Sequence, residues 1–277
     1  MTDERDEDFA IRRILVALDP GGDCTACFAE ISRLAARLQA EVAGLFVEDI
    51  NILHSAALPF VRRFAGASGA WEEFGVSDVE RELRSLAARA REALAAAAEH
   101  HRVRWTFQVV RGRVGVELTS ASREADLIVV ARRGPAAEST VRLVAGAPRS
   151  VLLLGALGAT TLGVAAVYDG SPGAGRALAA AARLAEPGPL LVLVVGADRA
   201  ALSKAAERRL EALGVKATLR TLGGSAIERV LATAAEAGGG ILVMSADSPL
   251  LEAPDAERAL ERARLPVLLV RPAQAAA

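Results

Sequence analysis

ILVALDPG, residues 14–21, returns 150 positions later as VAAVYDGS, residues 164–171, inside the stretch GVAAVYDGSPG (163–173). Each copy is a short apolar run closed by an aspartate, Asp19 or Asp169, and then by flexible turn residues. A helix-length segment follows each, which makes the stretch a strand-to-helix junction of a βα unit. The same grammar runs through the chain. ILVAL (14–18), VAGLFV (42–47), WTFQVV (105–110), LIVVA (127–131) and SVLLL (150–154) form a first set. LGVAAVY (162–168), LLVLVV (190–195), ATLRTL (217–222), ILVMS (241–245) and PVLLV (266–270) form a second. Near-continuous Val, Ile and Leu runs mark parallel strands covered on both faces. Alternation with helical segments predicts an α/β chain of two tandem flavodoxin- or Rossmann-like domains, each a five-stranded parallel sheet with helices on both faces.

The two sets align along their length. Val47 maps to Val195, Gly112 to Gly224 and Val151 to Val267. The offset drops from 148 to 112 between the second and third strands, so the first copy carries about 36 extra residues there. A repeat this long is a duplicated domain rather than a solenoid unit. The predicted organisation is an acidic disordered arm (1–12), a first domain (13–156) with a helical insertion over about 50–100, and a second domain (160–272), joined at GALGAT (155–160). In the third strand Val103, Trp105, Phe107 and Val109 alternate with polar residues. One wet face places this strand at a sheet edge and favours the order 3-2-1-4-5. SVLLL and PVLLV are apolar throughout and would end each sheet exposed, so they are the predicted seam around a pseudo-two-fold axis.

Within the insertion, Ser77 and Glu80 have capping-box spacing. Val79, Leu83, Leu86, Ala90, Leu94 and Ala97 then form one apolar helical stripe. ILHSAALPFVRRF (52–64) precedes it, with Pro59 at a first turn or kink. These helices read as a cover for the sheet, with a ligand lid or interaction surface as the alternative.

Composition narrows function. The chain has 277 residues, 52% of them hydrophobic, and 33 Lys and Arg against 34 Asp and Glu, for a net charge of −1. That balance leaves no footprint for nucleic acid or an anionic membrane, and 4% aromatics give few platforms for stacking bases. MTDERDEDF is the reverse of a signal peptide, and no apolar run reaches the length of about 18 residues that spans a bilayer. The cytoplasm is the expected location, and the Ala-, Arg- and Leu-rich usage suggests a bacterial source. Two cysteines and three histidines have no metal-ligand spacing.

On these residues the chain resembles a tandem universal stress protein. ILVALDPG and GVAAVYDGSPG match that family's first strand with its terminal Asp. VVRGRVGVELTSASREADLIVVARRG (109–134) matches the stretch from strand 3 to strand 4. APRSVLLL (147–154) and RLPVLLVRP (264–272) match the last strand, and LFVEDINILHSAALPF (45–60) the long second loop of tandem members. The resemblance implies a stress-response protein without enzymatic activity. It also implies an adenosine-nucleotide crevice at Asp19, Val47, Arg133, Gly134 and Ser139 in the first half, and at Asp169, Gly170 and Ser171 in the second, with ATP or AMP as the ligand.

The family's signature after strand 4 is a glycine, another three residues on, nine further residues, then Gly-Ser or Gly-Thr. Glycines let backbone N–H groups approach phosphates, and the Gly-Ser opens a helix whose dipole favours anions. This chain reads Arg132-Arg133-Gly134-Pro135-Ala136-Ala137-Glu138-Ser139-Thr140, with one glycine, a shortened loop and Glu138 ahead of Ser139. A carboxylate there repels phosphate. The second copy, Ser245-Ala246-Asp247-Ser248-Pro249, has no glycine and more acid. These departures argue against tight ATP binding in both halves, while Arg132 and Arg133 retain some anion affinity in the first. Asp19 and Asp169 can serve a ribose or adenine amino group, or cap the following helix.

Cys24 and Cys27 are spaced C-x-x-C at the start of a helix, where a thiol pKa is lowered. The second copy builds the same junction without cysteine, no Trp precedes Cys24, and no proline stands where a thioredoxin-type partner strand would need it. The pair reads as incidental, with oxidation sensing as the alternative. Adjacent His100 and His101 point to different helix faces and chelate poorly, and His54 is isolated in the insertion. No catalytic constellation emerges. The expected protein binds a partner, a second copy of itself or a small ligand.

Overall fold

The computed structural model describes residues 11–18, 25–56, 62–65, 70–73, 75–131, 149–154, 163–185, 188–224 and 226–271. The predicted runs become strands. They are β1 (Arg13–Leu18), β2 (Glu41–Asp49), β5 (Trp105–Gly112), β6 (Leu127–Ala131) and β7 (Ser150–Leu154) in the first half. The second half supplies β8 (Gly163–Tyr168), β9 (Leu190–Val195), β10 (Thr218–Leu222), β11 (Gly239–Ser245) and β12 (Val267–Val270). A separate two-stranded hairpin pairs β3 (Arg62–Ala65) with β4 (Ala70–Glu73). The main sheet runs β10-β9-β8-β11-β12-β7-β6-β1-β2-β5, so both halves have the order 3-2-1-4-5. As the alternating pattern predicts, the third strand of each half, β5 or β10, lies at an outer edge.

The two five-stranded sheets are not separate. β7 and β12 pair antiparallel, Val267 opposite Leu153, Leu268 opposite Leu152 and Leu269 opposite Val151, which merges them into ten strands. A continuous sheet alone speaks against two modules in series. The duplicated order and the reversal of strand direction at one pairing keep that reading, since every other pairing in the main sheet is parallel. All six of these seam residues are at most 4% exposed, and the Arg271 N–H donates to Ser150 Oγ at 3.2 Å across the join. Because direction reverses here, the carboxyl ends of the strands in the two halves point in opposite directions along the strand axis.

Helices cover both faces. One face carries α1 (Thr25–Leu38), α2 (Ile50–Ala56), α3 (Val76–His100), α5 (Ala174–Ala185) and α6 (Arg199–Ala212), whose Phe28, Ile31, Leu94, Leu178 and Leu210 join a common core. The other carries α4 (Val114–Ser122), α7 (Ile227–Glu236) and α8 (Ala256–Arg262), packed through Leu118, Ile227 and Leu260. α5 turns an alanine-rich face to the sheet, with Ala177, Ala180 and Ala181 fully buried, so it sits close to the strands.

Two details of the insertion differ from the sequence reading. α3 starts before Ser77: Gly75 is its N-cap, and the Asp78 carboxylate accepts the Gly75 N–H at 3.3 Å. Asp78, three residues past the cap, reaches back to the cap amide, the role the spacing had given Glu80. The stretch before it is not all helical, because RRFA and AWEE pair antiparallel with Arg62 opposite Glu73 and Arg63 opposite Glu72. Val79, Leu83 and Leu94 are buried as the stripe predicts, and Leu86, Ala90 and Ala97 pack partly buried against the same core. Pro59, the first ten residues and the linker lie outside the described residues.

Leu152→Ala and Leu268→Ala are each expected to cost about 2–5 kcal/mol of unfolding free energy. Measured in urea, the pair should be coupled by about 0.5–3 kcal/mol. Strictly additive losses would show that the two leucines do not meet across the seam.

Candidate functional site: the strand-end crevices

In the first half, Asp19, Arg133, Gly134, Ser139 and Cys24 lie outside the described residues. Val47 is 4% exposed, stands opposite Val110 near the end of β2, and packs into the core beneath α4. The next residue, Glu48, points to the other face. Its Oε2 accepts from Arg111 Nε at 3.0 Å and Nη2 at 2.9 Å. Arg111 Nη2 also donates to Glu80 Oε1 on α3 at 3.1 Å. The Glu48 hydrogen bond and charge push the Arg111 guanidinium further toward its protonated form, and Glu80 adds to the effect. This trio fastens the N-terminal part of α3 to the ends of β2 and β5. Sequence reasoning missed it, although Glu48 and Arg111 are direct cross-strand partners once β2 and β5 are in register. Cys27 is buried in the core of α1.

In the second half the junction after β8 lies within the described residues. Asp169 directly follows β8, and its Oδ1 accepts the Ser171 N–H at 2.9 Å while Oδ2 accepts the Ser248 hydroxyl. Gly170 follows with φ of +78°, the left-handed conformation that glycine adopts without strain. Asp247 Oδ2 accepts the N–H of Gly173, the residue just before α5, at 3.1 Å, and Oδ1 accepts the Ser245 hydroxyl. A Cβ at Gly173 would collide with Ser245 and Asp247, so the close seating of this carboxylate requires glycine there. Leu202 of α6 packs directly against Gly170 and Gly196 on the other side.

The arrangement has a plain electrostatic meaning. The start of α5 presents backbone N–H groups that have no acceptor within the helix, and the positive end of its dipole. In a nucleotide crevice a phosphate would take that place; here the chain's own Asp247 takes it. Asp169 is likewise engaged through both oxygens. Of the predicted second-half residues, the structure brings Asp169, Gly170 and Ser171 together at one junction. It adds Gly173, which the sequence reading had placed in the turn after the first strand of this half, and Ser245, Asp247 and Ser248, which it had marked only as an acidic loop. The Ser171 hydroxyl is buried without a hydrogen-bond partner among the described residues. Among those residues no three His, Cys, Asp or Glu side chains cluster to hold a metal, and no helix is long and apolar enough to cross a membrane.

No protein-family model matches the chain, and neither does any curated protein sequence. Solved structures do. A universal stress protein from Archaeoglobus fulgidus DSM 4304 aligns over 95% of this chain and 97% of its own, with a TM-score of 0.70 and 15% identity. A functionally unknown protein from Pseudomonas aeruginosa PAO1 aligns over 95% and 93%, with a TM-score of 0.59 and 17% identity. Both likenesses extend through the two halves, and with the first of them the chain shares the doubled fold of a tandem universal stress protein. At these identities the likeness is one of fold.

Replacing Asp247 with Ala strands the Gly173 N–H and the Ser245 hydroxyl. Denaturant unfolding is expected to report a loss of about 1–3 kcal/mol, with Asp247→Asn retaining part of it. Equal stability of Asp247→Ala and the parent would mean that the carboxylate is not seated on α5.

Proposed function

We propose that this chain is a non-enzymatic, cytoplasmic stress-response binding module of two universal-stress-type domains, 13–156 and 160–272, whose second crevice no longer takes a nucleotide. The observation that carries this reading is the Asp247 carboxylate on the start of α5. An anion brought to that helix end would displace or repel an acid held by two hydrogen bonds. Asp169, Gly170 and Ser171 then act as the turn and clasp that hold this loop, rather than as ligand contacts.

In the first half, the positions nominated by sequence, Asp19, Val47, Arg133, Gly134 and Ser139, mark where ATP or AMP would bind if the protein retains a nucleotide. Arg132 and Arg133 favour an anion there, and Glu138 opposes it. Burial of Cys27 in the core supports an incidental role for the C-x-x-C pair, since buried thiols are poor nucleophiles. The 50–100 insertion supports the sheet through α3 and its Arg111 fastening. The functional output is contact with a protein partner or a second copy.

The test is mass spectrometry of small molecules released from freshly purified, denatured protein, followed by calorimetric titration with ATP and AMP. Substoichiometric adenine nucleotide and no saturable heat are expected for Asp19→Ala and parent alike. One nucleotide per chain that vanishes in Asp19→Ala would replace this reading with a first-half sensor. Two nucleotides per chain would refute the closed second crevice.

A further inference from the structure

The crevices stand at strand ends. A different concavity arises only because the halves are joined. On the face covered by α1 and α5, a cavity of about 110 Å³ opens beside the seam. Ile31 and Leu34 of α1 form one wall, Leu152 and Leu154 of β7 lie beneath it, and Val164 of β8 and Ile241 of β11 close it from the second half. Gly163 and Pro266 border it, so it lies at the strand starts of the second half, away from Asp169 and Ser245. Neither half alone contains it.

Among the described residues its rim carries three charges, all from one stripe of α1: Glu30, Arg33 and Arg37. The Arg37 guanidinium donates to the carbonyl of Leu184 in the last turn of α5. A cation is favoured at that helix end, so this contact fixes α1 against the second half. Arg33 is half-buried at the mouth. Burial pushes the Glu30 carboxyl up from its ordinary range, with Arg33 partly offsetting it. Among the described residues the rim thus holds two guanidinium groups and one carboxylate above an apolar interior, with Arg33 the cation at the mouth.

We propose that this seam cavity binds a small monocarboxylate with a compact apolar body, an aryl or branched short-chain acid, whose ring or chain lies between Leu34 and Ile241 and whose carboxylate meets Arg33. Size and charge set the class. An apolar cavity of about 150 Å³ takes up benzene, so this slightly smaller one with an open mouth suits a single ring or four to six carbons. A guanidinium prefers a planar carboxylate to a neutral hydroxyl. The site is independent of whether the strand-end crevices hold nucleotide.

Benzoate is the probe, titrated into the full chain and followed by ligand-observed saturation-transfer NMR and calorimetry, with benzyl alcohol as the neutral isostere. Saturable benzoate binding is expected, at least about tenfold tighter than benzyl alcohol. Arg33→Gln should weaken it at least about fivefold, and Leu34→Trp, which fills the cavity from a half-buried position, should abolish it. Asp247→Ala should bind as the parent does. No saturable binding, equal binding of benzyl alcohol, or a loss confined to Asp247→Ala would overturn the proposal. Should Leu34→Trp fail to fold by circular dichroism, an undiminished affinity of Arg33→Gln overturns it alone.

Discussion

A strand that is apolar on both sides and stands at the end of a sheet has a row of unpaired N–H and C=O groups that must be met by something. SVLLL and PVLLV are two such strands, and their pairing with each other decides the shape of the molecule. Parallel order within each half follows from the βα connections, which return every strand in the same direction. The last strand of each half has no further strand of its own to pair with. Meeting its counterpart antiparallel satisfies the backbone and buries Leu152 against Leu268 at once. The opposed orientation of the two crevices and the cavity beside the seam both follow from that single contact.

The same need to satisfy a backbone explains the second crevice. A helix that begins at a strand end leaves its first N–H groups facing the crevice, and these call for an acceptor. A bound phosphate supplies one only while it is bound. Asp247 supplies one permanently, seated close because residue 173 is glycine, with Ser245 and Ser248 holding the two carboxylates in place. An acceptor built into the chain favours a stable, closed junction over a ligand-dependent one. The halves are thus alike in topology and unlike in chemistry, and the first also carries the long α3, fastened by Arg111 to Glu48 and Glu80.

Much of this was legible in the sequence because the signals are local or repeated. Apolar runs such as LIVVA and LLVLVV give their own boundaries, the offset between Asp19 and Asp169 exposes the duplication, and the wet face of residues 105–110 marks an edge. The seam was legible for the same reason, as two runs with no polar face. What escaped depends on pairings distant in the chain. Gly173 and Asp247 are 74 residues apart, and Glu48 and Arg111 are 63 apart. The hairpin at 62–73 was overlooked because four-residue strands carry too few alternations to stand out, although GASG between them is turn-forming. The cap of α3 was misplaced by two residues because Ser77 with Glu80 and Gly75 with Asp78 offer overlapping versions of one motif.

The seam is open to a direct reading by amide hydrogen exchange. In an edge strand every second N–H faces solvent, whereas in an interior strand successive amides are all bonded, alternately to the two neighbours. If β7 and β12 join the halves, consecutive amides from Val151 to Leu153 and from Val267 to Leu269 will all be protected, by roughly a thousandfold or more over free amides. A pattern in which alternate residues of those two runs exchange at the unprotected rate would show two sheets lying side by side, and would contradict the joined fold.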